Sequence, residues 1–462
     1  MAEPRVIVVG AGPAGVRAAE ALVRSGVTPI VIDEGRRDGG QIYRRQPEGF
    51  TRPYAKLYGT EAPKAQSLHQ AFEQLRARID YRPDTLAWHV RPRELHVVSG
   101  TRTEVLPFDA LIVCSGATDR LMPVPGWELA GCYSMGAAQI ALKSQACSIG
   151  RRVVFMGTGP LLYLVASQYV KAGAQVQAVL DTSPAGLRVK ALARLAARPG
   201  VLWHGLKLVA GLRSAGVPVL TGITPLAIAG TPEGGVTGIR VRDAGGRERA
   251  FDCDAVGLGY HLRAETQLAD LARCEFRFDA ESRQWLPAID EDGRSSVRGV
   301  YLAGDGARIL GADGAEAAGK LAALAALTDL ARFPSDEEMV ELRKTLQVMD
   351  RFRRGLIQAF PWPHEMAAQL PDHAVVCRCE SISAGDLRRT VRELGACEMN
   401  RAKALCRVGM GRCQGRYCGH SAAEVVAHAA QLPIEQVGRL RGQGPVKPLA
   451  MAALQPVQEA TP

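Results

Sequence analysis

Residues 5–15 read RVIVVGAGPAG, and this stretch decides the fold of the N-terminal part of the chain. The apolar run predicts a short buried strand, and the alanines after it predict a helix. Between them Gly10 allows a tight turn, Gly12 lets backbone amides reach a pyrophosphate, and Gly15 lets helix and strand pack closely. A second strand over 29–32 ends in an acid about twenty residues on, as in dinucleotide-binding folds. The predicted nucleotide-binding residues of this first fold are Gly10, Gly12, Pro13, Ala14, Gly15 and Asp33, with Glu34 as a second candidate for the ribose.

A related pattern recurs downstream. A strand over 152–156 leads into Gly157 and Gly159, and a strand over 176–180 ends in Asp181. Both patterns are followed by β-rich sequence and an apolar strand that closes at a glycine, Gly116 or Gly259. Leu162 replaces the third glycine, and its side chain is expected to push the helix away from the strand. This second fold is therefore predicted either to bind a nicotinamide or other adenine nucleotide through Gly157 and Gly159, or to be a relic.

A third segment, 299–306, reads GVYLAGDG and is followed by a helix of small residues. Together with residues 10–15 and the strand ending at Gly116, it resembles the two-dinucleotide-fold flavoproteins. In that family the aspartate matching Asp305, after Gly304, binds the ribityl and phosphate region of FAD, and a turn matching Gly39, Gly40 and Gln41 contacts the flavin. The resemblance implies an α/β fold with two Rossmann-like units. It implies an FAD domain over 1–125 and 265–330, with the second fold over 126–264.

Six of the eleven cysteines lie between Cys377 and Cys418, and such clustering predicts a metal site. A C-x-C pair is followed by a C-x₄-C pair, and four thiolates suit either zinc or an iron–sulfur centre. The predicted ligands are Cys377, Cys379, Cys413 and Cys418. The other five cysteines, up to residue 274, are far apart in sequence and are interpreted as core thiols, so no redox pair of the disulfide-reductase type is expected.

This cysteine-rich stretch resembles the small modules of the bacterioferritin-associated ferredoxin type, and the resemblance implies one [2Fe-2S] cluster. The C-x₄-C spacing departs from that type, so Cys406 competes with Cys418 as a ligand. Two helices are predicted to begin with capping boxes, Ser383 with Asp386 and Ser421 with Glu424. The module is assigned to 376–432, after a helical linker over 331–375 and before an extended tail over 433–462.

Composition excludes several other classes of protein. The 462 residues carry 57 Lys and Arg against 47 Asp and Glu, but the charge is scattered, so no nucleic-acid partner is expected. No apolar run approaches the ~18 residues of a membrane span, and Met1 leads into a strand without a signal peptide. A cytoplasmic location is therefore expected.

The whole arrangement resembles one member of the multi-subunit dehydrogenases that oxidise amino acids, imino acids and opines. The resemblance implies that this chain carries electrons by FAD and a [2Fe-2S] cluster. It also implies that the amine is oxidised on an amino-acid-oxidase-like partner subunit, with a downstream electron acceptor, a small third subunit, and a second nucleotide or FMN at an interface as further elements. No general base is found near the flavin motifs, so no catalytic residue is predicted. The alternatives are a self-sufficient NAD(P)H-dependent reductase and a zinc module that only docks a partner.

Overall fold

The computed structural model describes residues 3–332 and 334–454. The N-terminal segment begins as the glycine pattern predicts, with a strand, a turn and a helix. Its elements are β1 (Val6–Val9), α1 (Pro13–Arg24), β2 (Ile30–Ile32), α2 (Tyr54–Tyr58), α3 (Ala62–Leu75), β3 (Asp80–Arg82), β4 (Thr85–Arg91), β5 (Glu94–Ser99), β6 (Arg102–Pro107), β7 (Ala110–Val113) and β8 (Ala117–Asp119).

The middle segment repeats this plan around the second glycine turn. Its elements are β9 (Cys132–Ser134), α4 (Met135–Ser144), β10 (Arg152–Thr158), α5 (Pro160–Lys171), β11 (Gln175–Asp181), α6 (Gly186–Lys190), α7 (Leu192–Leu195), α8 (Pro199–Ser214), β12 (Val219–Thr221), β13 (Thr224–Thr231), β14 (Gly235–Arg242), β15 (Glu248–Asp252), β16 (Ala255–Tyr260) and β17 (Leu262–Ala264). A return segment follows with α9 (Gln267–Leu271), β18 (Phe276–Asp279), β19 (Gln284–Pro287), β20 (Val300–Leu302) and α10 (Gly311–Asp329).

Two five-stranded sheets, both parallel, form the centres of the two folds. The first has the order β20-β7-β1-β2-β3, so the return segment completes the sheet begun at the N-terminus. The second has the order β12-β11-β10-β16-β9. The predicted α/β class with two Rossmann-like folds is confirmed, and parallel strands with carboxyl ends at one edge give each fold a nucleotide-binding edge.

The chain crosses between the two folds on β8 and β17, which pair as antiparallel neighbours. We call β8 and β17 the crossing strands. They lie at 117–119 and 262–264, close to the predicted boundaries at 125 and 264. The exact division into domains stays a prediction.

Helices α1 and α10 cross at close range because small residues face each other. A Cβ on Gly319 would collide with the carbonyl of Ala14, so only glycine permits this approach. The small-residue helix noted in the sequence therefore packs against the first helix of the nucleotide turn and fixes its position. Both helices are largely buried along this contact.

The C-terminal third is helical. It contains α11 (Asp336–Ala359), α12 (Glu365–Gln369), β21 (Val375–Cys377), β22 (Ile382–Ser383), α13 (Ala384–Leu394), α14 (Met399–Cys406), α15 (Gly419–Ala430) and α16 (Ile434–Val437). None of the helices in the described ranges is long and apolar enough to cross a bilayer. The predicted tail runs back over the first fold, where Val446 is buried and its N–H donates to the carbonyl of Trp88. Residues 455–462 of that tail lie outside the described part.

Candidate functional site

The first glycine turn has the close contacts that a pyrophosphate loop requires. A Cβ on Gly15 would overlap the carbonyl oxygen of Gly10, so helix α1 can approach β1 only with glycine at this position. Gly10 has a φ of +107°, which favours glycine. A Cβ on Gly40 would lie 2.9 Å from the Cα of Gly12, so the predicted flavin-contacting turn packs directly on the phosphate turn. Pro13 and Ala14 begin α1.

Asp33 and Glu34 have different surroundings. The Asp33 carboxylate accepts the N–H of Ala11 at 2.6 Å and of Gly35 at 2.6 Å, so it is anchored at the glycine turn. Burial raises the pKa of Asp33, and these two N–H donors partly oppose the rise. Glu34 is exposed and pairs with Lys447 of the tail. Asp33 is therefore the better placed of the two for a ribose.

The turn at Gly304–Gly306 packs against the end of β7. A Cβ on Gly306 would lie 2.6 Å from the Oγ of Ser115 and 3.2 Å from the amide nitrogen of Gly116. One oxygen of Asp305 accepts the N–H groups of Leu310 and Gly311 at 2.9 and 3.0 Å, at the start of α10. Burial raises the pKa of Asp305 to about 6. The residues predicted from the three separated motifs thus meet along one edge of the first sheet.

A buried lysine that the sequence analysis did not single out lies beside this edge. The Nζ of Lys143 on α4 donates to the carbonyl of Ile42 at 3.0 Å, directly after Gln41. Burial lowers the pKa of Lys143 to about 8. The amide oxygen of Gln41 accepts a bond from Arg44 at 2.7 Å. A lysine in an otherwise apolar helix, MGAAQIALKS, was the available signal.

The second glycine turn is differently surrounded. The Asp181 carboxylate is fully buried and accepts bonds from Tyr163 at 2.6 Å, Arg188 at 2.7 Å and the N–H of Ser183 at 2.7 Å. Burial raises the pKa of Asp181, with these donors opposing. Leu162 is buried in the apolar core of this fold. The acid that would hold a ribose is therefore already fully engaged.

An aromatic side chain lies at the mouth of this second turn. A Cβ on Gly159 would lie 3.3 Å from the His261 ring, and His261 donates to the carbonyl of Phe360, just after α11. The Phe360 ring centre lies 6.2 Å from that of His261 and 6.4 Å from that of Tyr163. The Arg188 guanidinium lies 5.1 Å from the Phe360 ring centre. The chain's own side chains thus cover the carboxyl ends of β10 and β16.

The four predicted cysteine ligands lie together in a row of pairwise contacts. The thiol of Cys418 is within hydrogen-bonding reach of Cys377 and Cys413, and Cys413 is within reach of Cys379. Hydrogen bonding from Cys418 lowers the pKa of Cys377 to about 6 and that of Cys413 to about 5. Backbone N–H groups also point at these sulfurs, those of Gly409 and Glu380 at Cys377. Within 3–332 and 334–454, no three His, Cys, Asp or Glu side chains are grouped as one metal ion would require.

Cys406 has other neighbours. Its thiol contacts the Thr390 side chain and the N–H of Val408, and burial raises its pKa. Helix α15 begins directly after Cys418 and directs its N-terminus toward the row of thiols. The capping box at Ser383 and Asp386 is confirmed. The one at Ser421 and Glu424 was wrong, because Ser421 donates to the carbonyl of Cys418 while Glu424 is bound elsewhere.

Comparison with known proteins identifies the chain. Residues 4–325 match the pyridine nucleotide-disulphide oxidoreductase family, and residues 372–456 match the sarcosine oxidase A3 domain. An opine oxidase subunit of Rhizobium meliloti is 36% identical over 464 residues, which cover 97% of this chain and 86% of the relative. The chain belongs to the family of this opine oxidase subunit. Its members are parts of multi-subunit enzymes, and the flavin oxidoreductase fold they share implies FAD.

Further relatives also match nearly the whole chain. The corresponding opine oxidase subunit of Agrobacterium tumefaciens (strain Ach5) is 36% identical, with 97% of this chain and 91% of the relative covered. Hydrogen cyanide synthase subunit HcnB of Pseudomonas aeruginosa is 28% identical, with 98% of each covered. Among solved structures, L-proline dehydrogenase from P. horikoshii shares the fold with a TM-score of 0.71 at 18% identity, covering 98% of this chain and 79% of that one.

Proposed function

We propose that this chain is the electron-transfer subunit of a multi-subunit dehydrogenase, that it holds FAD and one [2Fe-2S] cluster, and that a partner subunit oxidises an amino acid, imino acid or opine. The observation that carries the proposal is the contact between the two predicted sites. The loop that holds Cys413 and Cys418 is bonded through Arg416 to Glu265, and Glu265 is bonded to Ser115 and Gly116 between β7 and β8.

The residues of the first fold suit FAD. The amides of Gly12 to Gly15 and the start of α1 would hold the pyrophosphate, and Asp33 would accept the ribose hydroxyls. The second oxygen of Asp305 would take the ribityl chain, since its first oxygen holds the start of α10. Gly40, Gln41 and Gly116 would line the flavin side of the same edge. Family membership supports FAD, and these individual roles are proposals.

The row of thiols suits a binuclear centre. Zinc in a structural site needs four ligands around one ion, whereas a [2Fe-2S] cluster takes two thiolates on each of two irons. The four thiols form a continuous row, from Cys377 through Cys418 and Cys413 to Cys379, and an extended row suits two irons better than one ion. N–H groups directed at sulfur and the N-terminus of α15 would stabilise the negative charge.

When bound, FAD would accept two electrons together and the cluster would pass them singly. The chain's own residues would hold both groups. Asp305 and Lys143 are largely out of water, and Arg412 and Arg416 supply positive charge next to Cys413. The sequence patterns place no general base beside the first sheet, and Lys143 at its edge is bonded to the carbonyl of Ile42, so we assign amine oxidation to an amino-acid-oxidase-like partner subunit. The proposal also includes a small third subunit, a second nucleotide or FMN at a subunit interface, and a downstream electron acceptor. It places the enzyme in the cytoplasm.

The alternative is a self-sufficient NAD(P)H-dependent reductase. The glycine turn at Gly157 and Gly159 favours it, since both residues have positive φ as a phosphate turn requires. The engaged Asp181 carboxylate and the position of Phe360 weigh against it. We therefore prefer the electron-transfer subunit.

The test is to purify the full chain anaerobically with and without its co-expressed partner subunit. We expect flavin absorption together with iron, sulfide and an iron–sulfur signal in electron paramagnetic resonance after reduction. We expect amine oxidation with the partner and none with this chain alone. Zinc in place of iron and sulfide, or amine oxidation by this chain alone, would contradict the proposal.

A further inference from the structure

The two crossing strands meet at one buried carboxylate. Glu265 follows β17, its N–H donates to the carbonyl of Gly116 at 3.0 Å, and its own carbonyl accepts the Ser115 hydroxyl at 2.6 Å. Glu265 therefore extends the pairing of β8 with β17 by one residue, at the point where the chain passes between the two folds. Any rotation of one fold against the other must bend the backbone here.

The cysteine loop binds this carboxylate directly. The Nε of Arg416 donates to Oε2 of Glu265 at 2.9 Å, and Arg263 of β17 donates to the same oxygen at 3.2 Å. Arg263 also donates to the carbonyl of Arg416 at 3.4 Å. The three side chains are 9–13% exposed, so this is an interior network and not a surface ion pair. Burial alone would raise the pKa of Glu265, but the charges of Arg263 and Arg416 hold it below its usual value.

A hydrogen bond between uncharged groups lies next to the ion pairs of Glu265. The amide of Gln267 donates to the carbonyl of Gln414 at 2.9 Å, one residue after Cys413. Arg416 in turn donates to the carbonyls of Cys413 and Val446 at 3.3 and 2.8 Å. The segment between Cys413 and Cys418 is thus bonded to residues 265–267 and to the tail.

The same module also contacts the body of each fold. The indole of Trp127 in the second fold donates to the carbonyl of Val375, directly before the module, at 2.6 Å, and the Arg378 guanidinium lies 5.2 Å from that indole ring. In the first fold, Arg283 donates twice to Glu424. The module therefore contacts both folds and the residues next to the crossing strands. The two folds can rotate against each other only if the module separates from at least one of them.

We propose that the cysteine module (376–432) is a clamp that holds the two folds together across the crossing strands, and that Glu265 is its positioning residue. Ser115 and Gly116, between β7 and β8, pack on the Gly304–Gly306 turn, and Glu265 joins them to the loop between Cys413 and Cys418. The clamp fixes the separation of the two predicted cofactor sites. The consequence for electron transfer rests on the proposed function, whereas the mechanical role of Glu265 does not.

The test is hydrogen–deuterium exchange on the full chain with the Glu265→Gln substitution. Loss of the charge weakens two hydrogen bonds to arginine, so we expect amides of 412–418 and 262–267 to exchange about tenfold faster or more. Glu104→Gln removes an exposed carboxylate paired with Arg82 at 2.9 Å and serves as the matched control, with no change expected at those amides. Exchange in Glu265→Gln equal to that of the control would overturn the clamp.

A second readout separates the clamp from the proposed function. If the wild-type chain holds both cofactors, flash reduction of the flavin should show slower cluster reduction in Glu265→Gln, by about tenfold or more, at unchanged iron content. If the wild-type chain lacks iron, the proposed function fails while the exchange experiment still decides the clamp. Should Glu265→Gln not fold, Arg416→Gln removes the other partner of the same ion pair, and exchange at 262–267 equal to that of the control would overturn the proposal.

Discussion

Arg283 of the first fold and Glu424 of α15 form a doubly bonded ion pair, with nitrogen to oxygen distances of 3.0 and 2.7 Å. Glu424 is 4% exposed, and the Trp362 indole donates to it at 3.1 Å. Arg283→Leu would leave this carboxylate buried with the indole as its remaining donor, so we expect the free energy of unfolding to fall by about 3 kcal/mol. Arg242→Leu, at an exposed pair with Glu248, should cost less than about 0.5 kcal/mol. Equal losses in urea denaturation would refute the role of this pair.

Gly15→Ala should abolish flavin retention. The added Cβ would overlap the carbonyl of Gly10 and force α1 away from β1, so we expect chain purified without FAD. Gly26→Ala is the matched control, because Gly26 follows α1 with open space around it and a φ of +75°. That change should cost about 1 kcal/mol of stability and keep the flavin. Flavin absorption of the two purified variants measures how much flavin each retains.

The fourth ligand is decided by comparing Cys418→Ser with Cys406→Ser. The Cys418 thiol contacts Cys377 and Cys413, whereas the Cys406 thiol contacts Thr390. We expect the iron–sulfur resonance signal to be lost in Cys418→Ser and retained in Cys406→Ser. The opposite result would assign the ligand to Cys406 and require the loop over 406–418 to rearrange.

NADH and NADPH should leave the flavin oxidised under anaerobic conditions. The Asp181 carboxylate is fully buried and bonded to Tyr163 and Arg188, so it is not available to a ribose hydroxyl. Dithionite should bleach the flavin and serves as the positive control. Rapid bleaching by a nicotinamide would favour the self-sufficient reductase instead.

The stability of the chain should depend on Lys143 at alkaline pH. Burial lowers the pKa of Lys143 to about 8 from its ordinary value of 10.5. Between these values the unfolded chain binds more protons than the folded one, so the free energy of unfolding rises with pH, by up to about 1.4 kcal/mol per unit. Well below pH 8 both states are protonated and this slope vanishes.

Lys143→Met should remove that rise. The difference in unfolding free energy between wild type and variant should change in favour of wild type between about pH 7.5 and pH 9.5, measured by urea denaturation. Lys171→Met, at an exposed lysine on α5, should show no such change. A pH-independent difference for Lys143→Met would contradict the lowered pKa.

Sequence patterns predicted those parts of the site whose backbone conformation depends only on neighbouring residues. The turn at Gly10–Gly15, the strand ending at Asp33 and the box at Ser383 with Asp386 depend on residues close in sequence, and each lies where its pattern predicts. The capping box at Ser421 failed because Glu424 is drawn to Arg283, a partner 141 residues away. No pattern within one helix reports such a partner.

Contacts between segments that are distant in sequence could not be predicted from any local pattern. Glu265 follows an ordinary strand, and Phe360 follows a charged helix, yet both acquire their positions from the packing of the module and the linker against the folds. In the second fold, too, local sequence predicts the backbone but not the contacts made by packing. The strand, turn and helix around Gly157 and Gly159 form as the pattern predicts, but whether Asp181 can bind a ribose depends on Tyr163 and Arg188, which tertiary packing brings to it.

The tail that returns over the first fold constrains the order of assembly. Val446 fills a place in the hydrophobic core beside β4 and β5, and Lys447 reaches Glu34 next to the predicted ribose site. A ribosome-bound chain therefore cannot complete its N-terminal nucleotide domain until the segment that carries Val446 and Lys447 has emerged. Stable flavin capture should follow release of the finished polypeptide, and a nascent chain arrested before Lys447 should hold its dinucleotide loosely.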